Sequence, residues 1–275
     1  KFIEDYVNHL RRREKPTFSR FSTEAERKII ITKFEFLFPG KKQGITTAAE
    51  EIINHTFDLL GSGPVKLSDK DGEGYHPINW QADFKSGYTW DKNTWYKEIQ
   101  YGHQTGVDIK VPWELSRCQH FPTLGKAYLF TNDEKYSREF VNEIEDWIAN
   151  NPAGYGVNWV CTMDVAIRAV NWVLGFYFFR ASPHLSKDFI TKFIKSLYQH
   201  GQYIIANLEK DPSGKNSNHY LSDLAGLIYL GFFLFEFKDA RKWRKYAVKE
   251  IITEAKKQIY PDGTDYEGSV SYHRL

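Results

Sequence analysis

The sequence predicts an all-α protein in which antiparallel helical hairpins stack side by side, and three observations carry that expectation. From residue 111 onward, segments of about twenty residues with apolar side chains at three-to-four spacing alternate with short connectors. Asp133, Ser186 and Asp239, all residue types suited to a helix start, recur every 53 residues. No stretch alternates polar and apolar residues with the period of two that a half-buried strand requires. A hairpin repeat without sequence identity between units implies an α/α toroid or an open solenoid.

Taken in order, residues 1–60 open with a basic helical stretch carrying Arg11, Arg12 and Arg13. The phenylalanine-rich segment 34–40 follows, then a helix expected from Thr46 to Leu60, where Thr47 and Glu50 fit a capping box. Residues 61–110 turn to Gly, Asp, Lys, Asn and Trp with little periodicity and read as a long ordered loop region. Loops of that length in a folded domain are usually functional. Helices are then expected at 113–130, 133–150, 160–180, 186–209, 218–236 and 239–259. Their apolar stripes are exemplified by Phe140, Ile144, Trp147 and Ile148, and by Phe189, Phe193 and Leu197. All three regions are assigned to one domain spanning 1–275.

Composition narrows the function classes. A chain of 275 residues buries roughly three quarters of its unfolded surface without disulfides or metals. Hydrophobic residues make up 41% and charged residues 26%, an ordinary globular balance. Mean hydropathy is −0.54, and the longest apolar run, Leu224 to Phe235, is too short to span a bilayer. With 37 basic and 35 acidic residues the formal charge is +2, so no overall field holds a polyanion and nucleic acid is not an expected partner. An acidic ligand must instead be met by Lys and Arg gathered at a cleft. Aromatic residues are abundant, with 8 Trp, 17 Tyr and 20 Phe. Trp80, Trp90, Trp95, Trp113 and Trp159 sit among polar neighbours, which suggests a sugar-stacking groove. Cys118 and Cys161 form no CxxC pair. The chain starts at Lys1 with no apolar leader and stops directly after a dense motif, so it reads as a trimmed piece.

Three polar clusters interrupt the helical text: Trp113 to His120, Asn158-Trp159 running to Asp164 and Arg168, and Asn218-His219 together with Tyr272-His273-Arg274. Asn218 stands where a helix starts, so it is either an N-cap or, with the free amides of that terminus, a binder of carboxylate. Glu114 and Arg117 are spaced for an ion pair on one helix. Arg168, in a helix otherwise apolar around it, needs a partner; Asp164 is one turn away, or the side chain points into a central cavity. His55, His103 and His120 lack the helical spacing of a zinc protease. Glycine-rich phosphate loops and Gly-x-Ser-x-Gly are missing as well.

The Asn218-His219 pair, followed by Tyr272 within Tyr266-Glu267-Gly268-Ser269-Val270-Ser271-Tyr272-His273, resembles the heparinase II/III family of polysaccharide lyases. So do Trp113-Glu114-Leu115-Ser116-Arg117, Asn158-Trp159, Ala166-Ile167-Arg168 and Asp262-Gly263-Thr264, so the likeness covers most of 80–275. The resemblance implies an incomplete α/α toroid joined to a C-terminal antiparallel β-sandwich beyond Leu275, which would bring a further histidine to the cleft. It implies β-elimination next to a uronic acid in an acidic polysaccharide, with neither cofactor nor metal. Asn218 would hold the carboxylate, His219 would assist there or as a base, and Tyr272 would be the general acid and, for one C5 epimer, also the base. Trp113 and Trp159 would be sugar-stacking platforms in the substrate cleft, Glu114, Arg117 and Arg168 would line that cleft or belong to its scaffold, and His273 would orient Tyr272. A secreted or periplasmic location follows from access to such a polymer. The competing expectations are a carbohydrate-binding toroid without catalysis, a helical-repeat protein scaffold, and, more weakly, a hydrolase pairing Glu114 with Asp164 or Glu267.

Overall fold

Apolar residues recurring every three to four positions bury one stripe of each helix, and the chain pairs those stripes in two layers. The structure, a computed structural model, describes residues 2–13, 24–68, 74–266 and 268. The helices are α1 (Phe2–Arg12), α2 (Glu24–Leu37), α3 (Lys41–Ile53), α4 (Lys110–Ser116), α5 (Phe121–Thr131), α6 (Lys135–Asn150), α7 (Thr162–Phe179), α8 (Lys187–Ala206), α9 (Asn218–Phe233) and α10 (Lys238–Gln258). One layer runs α3, α5, α7, α9, each packed on the next; α6, α8 and α10 form the other, with α1 added against α8. This alternation of inner and outer helices makes the fold an arc of an α/α toroid, as expected.

Close approach within the first layer depends on small residues. A Cβ built on Gly226 of α9 would lie 2.7 Å from the Ala166 Cβ of α7, so the two helices meet backbone to backbone. Larger rings fill the space between layers. Phe140 on α6 packs on Phe121, Phe179 and Phe189, with ring centroids 4.9, 4.9 and 6.1 Å away, and Trp172 stacks on Phe193 at 5.8 Å. Of the five tryptophans expected at a sugar-stacking groove, Trp80 and Trp159 belong to this core, Trp90 is buried in a smaller cluster, Trp113 is half-buried and Trp95 is exposed.

Boundaries differ from expectation where a single residue leaves helical φ. The segment 113–130 is two helices, because Cys118 takes a left-handed conformation (φ 54°) and turns the chain between α4 and α5. The helix expected from Thr46 begins five residues earlier, directly after Gly40 (φ 78°). Thr46 and Thr47 are therefore interior, Thr46 bonds back to the Lys42 carbonyl, and the predicted capping box does not form. That helix ends at Ile53 rather than Leu60, with left-handed His55 (φ 50°) following. Of the three repeating start residues, Ser186 is a true N-cap, its Oγ accepting from the Phe189 amide at 3.1 Å. Asp133 accepts from the Lys135 amide at 3.0 Å just ahead of α6, and Asp239 lies inside the first turn of α10.

Among its described residues, the region 61–110 is organised by hairpins too short for a period to register. β1 (Thr56–Phe57) pairs antiparallel with β2 (Val65–Lys66), and β3 (Ala82–Asp83) with β4 (Tyr88–Thr89). Trp80 and Trp90 are buried as its anchors, their indoles donating to Asp146 Oδ2 at 2.9 Å and to the Gln100 carbonyl at 2.8 Å. No helix among the described residues is long and apolar enough to cross a membrane.

Candidate active site

A cleft of about 530 Å³ opens between α7, α9 and α10. Gln119 from the α4–α5 corner, Asn171 from α7, and Asn218, Ser222 and Tyr229 from α9 supply its polar edge, over an apolar floor that includes Ile167, Val170 and Leu221. Asp265, past the end of α10, closes one side.

Asn218 is the first residue of α9, not its cap. Ser217 caps the helix, its side chain accepting from the His219 amide at 3.3 Å. This frees the Asn218 carboxamide, which makes no hydrogen bond to any described residue and faces the cleft beside the helix terminus. The next residue, His219, has Nδ1 3.2 Å from Glu209 Oε1 and remains partly exposed. Its pKa is raised by that hydrogen bond first, against burial, with further support from the charges of Glu209, Asp164 and Asp223. The other oxygen of Glu209 accepts from the Met163 amide at 2.9 Å, and the Glu209 amide donates to Asp223 Oδ2 at 2.8 Å. Burial pushes the Asp223 carboxyl up to about 8, so that group is largely protonated near neutrality.

Arg117 sits at the corner between α4 and α5 as the centre of an acidic clasp. Its guanidinium binds Glu114 at 2.5 Å and Asp164 on α7, while its carbonyl accepts from Asn171 Nδ2 at 2.9 Å. Burial opposes the charge, but Asp164 and Glu114 outweigh it and hold the Arg117 pKa above its ordinary value. Asp164 thus connects the two halves of the site: it neutralises Arg117 and its charge favours protonated His219. The predicted Glu114–Arg117 pair is present, in a half-buried rather than surface setting. Trp113 is fixed by its indole N–H on the Val157 carbonyl at 2.8 Å and remains half-buried.

Two predicted cleft residues are elsewhere. Trp159 is fully buried, its ring packed on His200 and Tyr203 at 4.9 and 5.0 Å, so it offers no face to a sugar. Arg168 is equally buried and its partner is not Asp164. Its Nε donates to His200 Nε2 at 2.9 Å, and its terminal nitrogens to Ser116 Oγ at 3.1 Å and the Asn158 carbonyl at 3.3 Å. The charge lies 4.1 Å from the Trp147 ring centroid and 5.5 Å from that of Trp159. Burial lowers the Arg168 pKa to about 10 and, with Arg168 beside it, holds His200 well below its ordinary value. Neutral His200 donates from Nδ1 to the Ser196 carbonyl at 2.7 Å, which leaves Nε2 to accept from the guanidinium. This knot is scaffold beneath the cleft.

Tyr272 and His273 lie outside the described residues. The chain leading to them is nevertheless anchored beside Asn218. Gln258 at the end of α10 donates to the Asn216 and Ser217 carbonyls at 3.2 and 3.3 Å, and Tyr266 OH donates to the Asn216 carbonyl at 3.1 Å. The expected gathering of Lys and Arg at the cleft is not met among the described lining residues, which include neither. Reading the sequence also missed Glu209, Asp223 and Asn171, while Gln119 falls in the polar cluster Trp113 to His120. Glu209 is ten residues before His219 in a connector, where no periodicity marks it. As for cations, Cys161, Glu209 and His219 each present a ligand atom within 4.8 Å of the others, although burial raises the thiol pKa of Cys161 and so favours its neutral form.

Comparison with known proteins identifies the family and the fold. Residues 5–275 match the family model described as Heparinase II/III N-terminus. The chain is 30% identical over 182 residues to a heparin-sulfate lyase of Pedobacter heparinus, covering 64% of this chain and 27% of that protein. It is 28% identical over 197 residues to a heparin-sulfate lyase of Bacteroides stercoris, covering 64% and 29%. Among solved structures it superposes on the heparan sulfate lyase of Pedobacter heparinus with a TM-score of 0.66 at 24% identity, covering 96% of this chain and 36% of that one. It also superposes on a heparinase III gene product with a TM-score of 0.60 at 26% identity, covering 82% and 33%.

Proposed function

The chain belongs to the heparinase II/III family, and from that premise we propose that it forms the helical part of a polysaccharide lyase. The substrate proposed is a uronic-acid-containing acidic polysaccharide, a glycosaminoglycan of the heparin or heparan sulfate type or a related uronate polymer, met in the periplasm or outside the cell. The chain spans 27% and 29% of the two curated relatives' lengths, so the activity proposed is that of the whole protein. The observation that carries the reading is the uncommitted carboxamide of Asn218 at the head of α9, beside a histidine that Glu209 orients and whose protonated form it favours.

β-Elimination needs three things of a site. The uronate carboxylate must lose its charge so that the C5 proton becomes acidic. A base must take that proton, and an acid must protonate O4 as the C4–O4 bond breaks and the C4–C5 double bond forms. Asn218, at the positive end of the α9 dipole, donates to the carboxylate, which becomes an enolate-like dianion in the transition state, where preorganised donors act most strongly. Protonated His219 adds a positive charge at the same place, and in this reading the two stand in for a metal cation. Tyr272 supplies the acid and, for one epimer, the base. It stands six positions after the anchored Tyr266, about 20 Å of extended chain at most.

The test is full-length protein incubated with a panel of uronate polysaccharides while the ultraviolet absorbance of the unsaturated uronate is followed. Absorbance rising with one polymer is the expected result. Binding without any rise would replace the reading by a non-catalytic carbohydrate-binding toroid.

A further inference from the structure

A second cluster of ligating side chains lies where the exit of α3, the α4–α5 corner and α6 meet. His55 is wholly buried and held in the left-handed region at φ 50°. Its Nε2 is 2.7 Å from Glu139 Oε1, and its Nδ1 is 2.7 Å from Ser68 Oγ. Glu143, one turn along α6 from Glu139, is also wholly buried. Its Oε2 meets His120 Nε2 at 2.6 Å, whereas its Oε1 is sealed from solvent with no hydrogen-bond partner among the described residues. Single ligand atoms of His55, Glu139 and Glu143 all lie within 4.8 Å of one another.

We propose that His55, Glu139 and Glu143 form a structural site for a divalent transition-metal ion of the zinc class. Two carboxylates on one face of a helix are costly to bury as neighbours, and an acceptor oxygen left without a donor adds to that cost. A divalent cation answers both. Imidazole with carboxylates suits zinc better than magnesium or calcium, which take oxygen alone. Zinc ligands at about 2.0–2.2 Å stand roughly 3.3 Å apart in a tetrahedral shell, so these side chains need only small shifts. The surrounding contacts match such a site. Ser68 is placed to accept the Nδ1 proton of His55, which turns the Nε2 lone pair inward, and His120 steadies Glu143 from behind. The ion would tie α3 and α6 to the corner that carries Arg117 and Gln119 to the cleft, and it has no part in the elimination itself.

The test uses full-length protein stripped with a chelator and returned to zinc chloride, with metal content and thermal unfolding measured together. One equivalent of zinc and a Tm increase of about 5 °C or more at a hundredfold excess over Kd are expected. Glu143→Gln, nearly isosteric, should weaken zinc binding at least about tenfold, and His219→Ala, which dismantles the Cys161–Glu209–His219 cluster, should keep both the equivalent and the shift. Wild-type protein that neither retains zinc nor shifts with it would overturn the proposal, leaving His55 and His120 as hydrogen-bond partners of the two glutamates. A shift that survives Glu143→Gln but disappears in His219→Ala would overturn it too.

Discussion

In α7, Arg168 meets an imidazole, a hydroxyl, a carbonyl and two indole faces, and nothing of it reaches water. At the head of the adjacent helix α9, Asn218 has a carboxamide that no described residue engages, on the rim of a cleft. Both are polar residues set in or beside apolar helical text, and both were expected to serve the same site. The difference lies in remaining hydrogen-bonding capacity: Arg168 spends its donors inside the protein, whereas Asn218 keeps its own for a ligand. A buried polar group that is satisfied holds structure together, and one left unsatisfied at a surface is available for chemistry.

That contrast is broken most directly by exchanging the readouts. Asn218→Ala should lower turnover on the active polymer by about 10²–10³-fold or more, and Tyr272→Phe similarly, with Tm unchanged in both. Wild-type-like turnover in either would remove that residue from the site. Arg168→Met should do the reverse. It should lower stability by about 2–4 kcal/mol, because His200, Ser116 and the Asn158 carbonyl lose a shared partner, while the surviving folded fraction keeps its turnover per molecule. A turnover defect in fully folded Arg168→Met would mean that the knot reaches the substrate after all.

Asp223 sharpens the comparison, because it is buried beneath the site rather than sealed in the scaffold. Its folded pKa, about 8, lies above the ordinary carboxyl value. Its contribution is therefore fully present at pH values below the unfolded pKa and is lost as pH rises toward 8. Wild-type stability should fall across that window by up to about 1.4 kcal/mol per pH unit relative to Asp223→Asn. Parallel stability curves for the two proteins, from chemical denaturation at successive pH values, would show that Asp223 ionises normally. The smallest effect is expected at Glu209. Its hydrogen bond is the main cause of the raised His219 pKa, so protonated His219 persists to higher pH with Glu209 than without it. Glu209→Gln should move the alkaline limb of the pH–rate profile to lower pH and lower the maximal rate by less than about tenfold. An unmoved limb would mean that the His219 proton is not the one titrating.

Much of this architecture was legible beforehand. Helices α6 to α10 are placed within a few residues by the spacing of Phe140, Ile144 and Trp147, or of Phe189, Phe193 and Leu197, because each must bury one stripe. Asn218-His219 was recognisable as a motif, and its position at a helix start followed from the loop before it. Trp159 was misjudged, and the choice of cleft or scaffold for Arg168 stayed open, for one reason: sequence shows where a polar or aromatic residue stands, not which neighbour it meets. Glu209, Asp223 and Asn171 were invisible because their roles arise between segments far apart in the chain.

The order of amino acids by itself determined the helical class, the hairpin repeat and the candidate residues, since periodicity and capping preferences act over a few residues. Which polar groups are satisfied was decided only by tertiary structure. Asp164 serves Arg117 rather than Arg168, and Glu209 rather than a near neighbour orients His219. Hydrogen bonds and ion pairs are set by distances of a few ångströms, and only the packing of α4, α7, α8 and α9 against one another brings those groups that close.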